Sequence, residues 1–191
     1  MPREPRILAS FLHGTLEAID QIDADLGRRV RAELKPESLD EIQNAWAASW
    51  LPIRLDVELT EAFFRLAGSA RGCQAMRQNL VATYQAPILR PLIEGALRVL
   101  GRHPGKILRW APRAWSLLFR DLGEMEVEVR EDHATVRISG LPPEVAESRE
   151  YLLGSAAAIA SVFDLTGYQG TCELRQHGEG QARFEVRWQD A

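Results

Sequence analysis

The sequence predicts an α+β fold in which an N-terminal helical bundle (residues 1–123) packs on a C-terminal ββαββ four-stranded antiparallel sheet (124–191), the whole forming a single domain. Three observations carry that expectation. Apolar residues recur at helical spacing through the first 120 positions. The period switches to two at "EMEVEVR" and "ATVRIS". A helix-like run then separates this pair of alternating segments from a second pair, "GYQGTCELRQ" and "QARFEVRW".

The helical part reads as follows. Positions 8, 11, 12, 16, 19, 22 and 26 are apolar, which predicts one helix from Ile7 to about Arg31. After Pro36, Ser38 and Glu41 form a capping-box pattern that predicts a helix through Ile42 and Trp46 to about Trp50. Pro52 breaks it. "VELTEAFFRLAG" predicts a helix stopped by Gly68. Ser69 can cap the next, to about Tyr84, and Pro87 and Pro91 frame another that ends near Gly101. "ILRWAPRAWSLLFRDLG" reads as one kinked or two short helices ending at Gly123.

In the sheet, each alternating run has one apolar and one charged face, so one side is dry. Ala182, Phe184, Val186 and Trp188 point one way, and Arg183, Glu185 and Arg187 the other. The connecting helix, about Val145 to Phe163, must cover the dry side together with the helical part. Along it, Tyr151, Leu152, Ser155, Ile159, Val162 and Phe163 share a face, while Gly154 and several alanines keep it thin. A glycine inside a helix costs about 1 kcal/mol relative to alanine. Close packing of another backbone is one compensation, and room for a ligand beside Tyr151 is another.

Bulk properties narrow the function. The chain has 191 residues, enough for a core without staples, and its composition is that of a globular protein. No apolar run approaches the ~20 residues of a membrane span. The basic N-terminus lacks a small-residue cleavage site, which argues against a signal peptide. Two cysteines, Cys73 and Cys172, far apart in sequence, give no disulfide or metal framework, and a cytoplasmic location is expected. Residues 124–191 carry 13 acidic and 6 basic side chains, whereas 1–123 carry 14 and 17. The excess falls far short of a nucleic-acid binder. Its positive part lies in 90–120, where arginines interleave with Trp110, Trp115 and Phe119. Such a stretch suits either a solvated helix over a Trp-rich core or, through 98–120, peripheral contact with an anionic membrane.

The order of elements, with "GLPPEVAESREYLLGSAAAIASVF" followed by "CELRQHGEGQARFEVRW", resembles the superfamily that joins the heme-NO-binding (H-NOX) domain, the 4-vinyl-reductase domain and the TRAPP tethering subunits. "EAFFRLAG", Arg71-Gly72, the "YLLG" at Tyr151–Gly154 and the terminal strand ending in Trp188 are similar to landmarks of a paralogous family abundant in myxobacteria within that group. The resemblance spans about residues 6–188 and implies an H-NOX/4-vinyl-reductase-like fold, a ligand-binding or assembly role, and dimerisation through helices as in TRAPP relatives.

The resemblance also implies a heme site, which needs one imidazole for iron and a Tyr-x-Ser-x-Arg motif for the propionates. His103 lies in the turn-like "GRHPGK", while the ligand is expected nearer Arg109 to Trp115. Where the propionate motif belongs, the chain reads "ISGLP"; His133-x-Thr135-x-Arg137 falls too early, inside a strand. No heme or other cofactor is therefore expected, with heme kept as the alternative. His13 and His177 read as ordinary helix and turn residues, and Asp20, Asp23 and Asp25 as a solvated helix end, so no metal site is expected. No serine has an elbow or triad context and no phosphate loop exists, which argues against an enzyme. The expectation is a non-catalytic module that holds a small hydrophobic ligand or a partner protein between helices and sheet, with Trp110, Arg113, Trp115, Tyr151 and Ser155 as candidate pocket residues.

Overall fold

A computed structural model describes residues 3–85, 94–95, 97–98 and 101–189. The helix expected between Pro87 and Gly101 lies largely outside the described residues. The chain opens with a short strand β1 (Arg6–Leu8), then α1 (Ala9–Ile22), α2 (Ala24–Glu33), α3 (Pro36–Asn44), β2 (Trp50–Pro52), α4 (Ile53–Ala67) and α5 (Ser69–Gln85). Further along the chain come α6 (Pro104–Leu108), α7 (Ala111–Leu118) and β3 (Phe119–Arg120). The C-terminal part is β4 (Glu124–Val129), β5 (His133–Ser139), α8 (Pro143–Ala146), α9 (Arg149–Ala160), α10 (Val162–Thr166), β6 (Gln169–Gly178) and β7 (Gln181–Gln189).

The four-stranded antiparallel sheet has the order β4-β5-β7-β6. Val136 pairs with Val127 on one side and Phe184 on the other, so the apolar positions of three strands form one row, buried in β5 and β7 and half-buried in β4. Gly170 faces the ring of Phe163: a Cβ there would sit 2.4 Å from both that ring and the carbonyl of Arg187. A bulge between Leu174 and Gln176 sits in the β6–β7 pairing.

Four details depart from the sequence reading. A second sheet, β2-β1-β3, lies within the part expected to be all helical. The first helix is two, because Asp23 is extended and its side chain accepts the amides of Asp25 and Leu26, capping α2. The capping box does not form. Pro36 leads α3, Ser38 instead donates to Glu58 at 2.8 Å, and the helix ends at Asn44, leaving Trp46 exposed and Trp50 in a strand beneath the Arg120 guanidinium. The long helix expected from 145 to 163 is broken into α8, α9 and α10.

Two polar contacts set the helices against one another. Asn79 of α5, fully buried, donates to the Phe11 carbonyl and the Thr15 hydroxyl of α1. Its carbonyl oxygen lies 2.3 Å from where a Cβ of Gly14 would be, so only glycine allows this approach. Ser148 caps α9 by accepting the amide of Tyr151, and its hydroxyl donates to Glu61 of α4 at 2.6 Å. This pins the first turn of α9, and therefore Tyr151, against α4.

Candidate functional site

A cavity of about 600 Å³ lies among α4, α5, α7 and α9, closed further by α1, α6 and α10. Its walls are overwhelmingly apolar. The four-stranded sheet contributes Met125 and the small sheet Phe119, so the described cavity is walled by helices rather than lying between helices and sheet as the sequence suggested. The packing explains the shift. Phe163 of α10 covers Gly170 of β6, and Leu152 of α9 is buried outside the cavity.

All five residues singled out from the sequence line this cavity. Trp110 and Arg113 are exposed at its rim, with the Arg113 guanidinium 5.6 Å from the centre of the Trp110 ring. Trp115 is half-buried and stacks at a tilt on Phe119, ring centres 4.2 Å apart; its indole Nε1–H is buried without a partner. Ser155 spends its hydroxyl on the Tyr151 carbonyl at 3.1 Å, so it offers the cavity little polarity. Tyr151, Gly154, Ser155, Ala158, Ile159 and Val162 follow at intervals of three and four, forming one stripe along the wall. Leu152 and Phe163 are buried away from it. A Cβ at Gly154 would lie 3.2 Å from the side chain of Met76 of α5, so the neighbours are side chains rather than the expected backbone, and the residue borders the cavity.

Sequence reasoning missed Asp56. It lies in the first turn of α4, lines the cavity and is 2 % exposed. The Tyr151 hydroxyl hydrogen-bonds to its carboxyl, while Oδ1 is buried without a partner. Burial disfavours the carboxylate and pushes Asp56 up to about 7, against the opposing pull of the Tyr151 hydrogen bond. Burial, and then the Asp56 charge, hold the Tyr151 phenol well above its usual range, so it stays a neutral donor. A sequence signal existed: Asp56 lies on the same stripe as Ile53, Thr60 and Phe63, all three buried.

The sequence resemblance implies a heme, for which these walls would have to supply an imidazole. None of the four histidines or two cysteines lines the cavity. His103 caps α6 through Nδ1, which accepts the Gly105 amide at 3.2 Å, and its ring packs edgewise against Tyr168 and Trp188. His13 contacts the Ile42 carbonyl, His177 the Ala146 carbonyl and His133 the Asp132 carboxylate. The stretch 109–115 does border the cavity, but with tryptophan and arginine instead of imidazole. Thr135 and Arg137 lie on the wetter face of β5. Arg113 is the one guanidinium among the described lining residues. These walls do not fit an imidazole-held heme. Among the described residues no cluster of three or more metal-ligating side chains exists, and no helix is long and apolar enough to cross a membrane.

No known protein family and no curated protein matches the chain by sequence. Solved structures do match it by fold, and those below are H-NOX domains. The Fe(II) unliganded H-NOX protein from K. algicida aligns with a TM-score of 0.68 at 8% identity, over 97% of this chain and 98% of that one. A Cs H-NOX mutant carrying 4-cyano-L-phenylalanine at site 5 gives 0.66 at 10% identity, over 96% and 97%. An oxygen-binding H-NOX domain related to soluble guanylate cyclases, as its oxygen complex, gives 0.63 at 12% identity, over 96% of each chain. The fold is therefore H-NOX-like across nearly the whole length.

Proposed function

We propose that this protein is a non-catalytic ligand-sensing domain of the H-NOX type whose ligand occupies the helix-walled cavity. The likeness in fold supports the H-NOX-type sensor, the alternative of the sequence reading, more strongly than a general partner-binding adaptor. The single observation that carries the ligand is the 600 Å³ apolar cavity with few polar groups, a size and lining suited to a small organic molecule. The lining chemistry turns the reading away from heme and toward an apolar organic ligand. Heme remains the second reading because the fold neighbours include an Fe(II) H-NOX protein.

A cytoplasmic location, kinship with the myxobacterial, 4-vinyl-reductase and TRAPP groups, a homodimer, a partner protein, and peripheral membrane contact through the basic stretch 98–120 belong to the same proposal. No nucleic-acid role is proposed.

The deciding experiment is an absorption spectrum of protein expressed with heme supplied, followed by native mass spectrometry of the same sample. A colourless protein carrying a lipid-sized mass is the expected result. A stoichiometric Soret band would overturn the apolar-ligand reading in favour of heme.

A further inference from the structure

The cavity wall is mostly apolar, and its one acidic group among the described lining residues sits where α4 meets α9. This is Asp56, 98 % buried by its 2 % exposure. Its Oδ1 is buried without a hydrogen-bond partner, and the Tyr151 phenol interacts with the same carboxyl group. Buried acceptors are nearly always paired, and an unpaired one marks a place where a donor belongs. Phe11, Met76, Leu80 and Ile159 line the same cavity and contribute no polar side-chain atom beyond a thioether.

We propose that the cavity takes an apolar molecule whose polar head is a hydrogen-bond donor, a hydroxyl or a protonated amine, held by the Asp56 carboxyl group. This rests on the cavity being the ligand site and adds the ligand's chemical class. A carboxylate-ended chain is disfavoured, because its head would meet the Asp56 carboxylate in a water-poor site. The Trp115 N–H is likewise buried without a partner, on another lining residue. The residual acidity of Asp56, poised near neutrality, lets it face either a neutral alcohol or a cation.

The test uses the full chain at pH 8 and three probes with one chain and different heads: decanol, decylamine and decanoate. Each displaces a fluorescent apolar dye. Decanol and decylamine are expected to bind about tenfold or more tighter than decanoate, the scale of one well-made hydrogen bond to a charged group. Asp56→Ala should erase that preference while decanoate still displaces the dye. Asp56→Asn keeps an acceptor oxygen and drops the charge, so it should retain decanol and lose decylamine. Tyr151→Phe keeps the carboxyl intact and should preserve the preference, which guards against a fold defect in the Asp56 variants. Equal binding of all three heads, or a preference that survives Asp56→Ala, overturns the head-group inference and leaves the cavity as the ligand site. Failure of every probe to displace dye from the wild-type protein, with no apolar mass in the native spectrum, overturns both.

Discussion

Two of the helices that border the cavity, α9 and α7, differ in how their sequences relate to their surroundings. In α9 apolar and small residues run around most of the helix, and it is buried on one side by α4 and α5 and on the other by the sheet. In α7 the residues separate sharply into an apolar and a polar face, yet none of them is buried. Trp115 and Leu118 are half-covered, and Leu117 and Trp110 remain 51% and 41% exposed. Amphipathicity shows which face of a helix is apolar. It does not show whether that face meets protein atoms or empty space. In α7 the apolar side borders the cavity, and its covering is incomplete.

The difference can be broken or sharpened by substitution. The largest effect is expected on the packed side. Leu152→Ala in α9 removes a fully buried side chain and should cost about 2–5 kcal/mol. Thermal unfolding should show it as a drop of roughly 5–15 °C. A loss below 1 kcal/mol would mean that α9 is loosely packed after all.

Asp56→Asn comes next. In the folded protein the carboxyl ionises near 7, against an ordinary value of 3.8. The folded state therefore binds more protons between those values, and wild-type stability should fall as pH rises from about 4 to about 7, levelling off above. The Asn variant lacks that slope. Its advantage should grow across the same window to at most a few kcal/mol. Parallel melting curves of the two proteins against pH would contradict the buried carboxyl.

A third change separates cavity from core. Ala158→Phe on the cavity stripe of α9 should fill open space, cost less than about 1.5 kcal/mol and abolish displacement of the apolar dye. The smallest effect belongs to α7, where Leu117→Ser should change stability by no more than about 0.5 kcal/mol. A large loss there would show that the face is covered in solution.

Much of the architecture was legible because the signals were strong. The alternating runs 124–129, 133–139 and 181–189 each supply several period-two residues, and the strands fall where the alternation lies. The stripe Tyr151–Ser155–Ile159 could be read from helical spacing, and it does line the cavity. What could not be read lacks a local signature. Strands of two or three residues, as in the small sheet, have no period to detect, and Trp50–Leu51 simply continued the preceding helical pattern. Asp56 was overlooked because an acid in a helix normally faces water; only its position on the stripe with Thr60 and Phe63 betrayed it. The cavity itself depends on how four helices meet, a matter of distant contacts that no single segment encodes.

The small β2-β1-β3 sheet has a consequence for the order in which the molecule assembles. Its central strand pairs Arg6 with Pro52 on one edge and with Arg120 on the other, so it is complete only after the chain has returned twice to its beginning. Contacts this far apart in sequence close large loops and slow the search for the native state. The helices between them can form early from local contacts. The strands that tie residues 6, 52 and 120 are expected to lock last, and α7, which runs directly into β3, should gain its final position only at that late step.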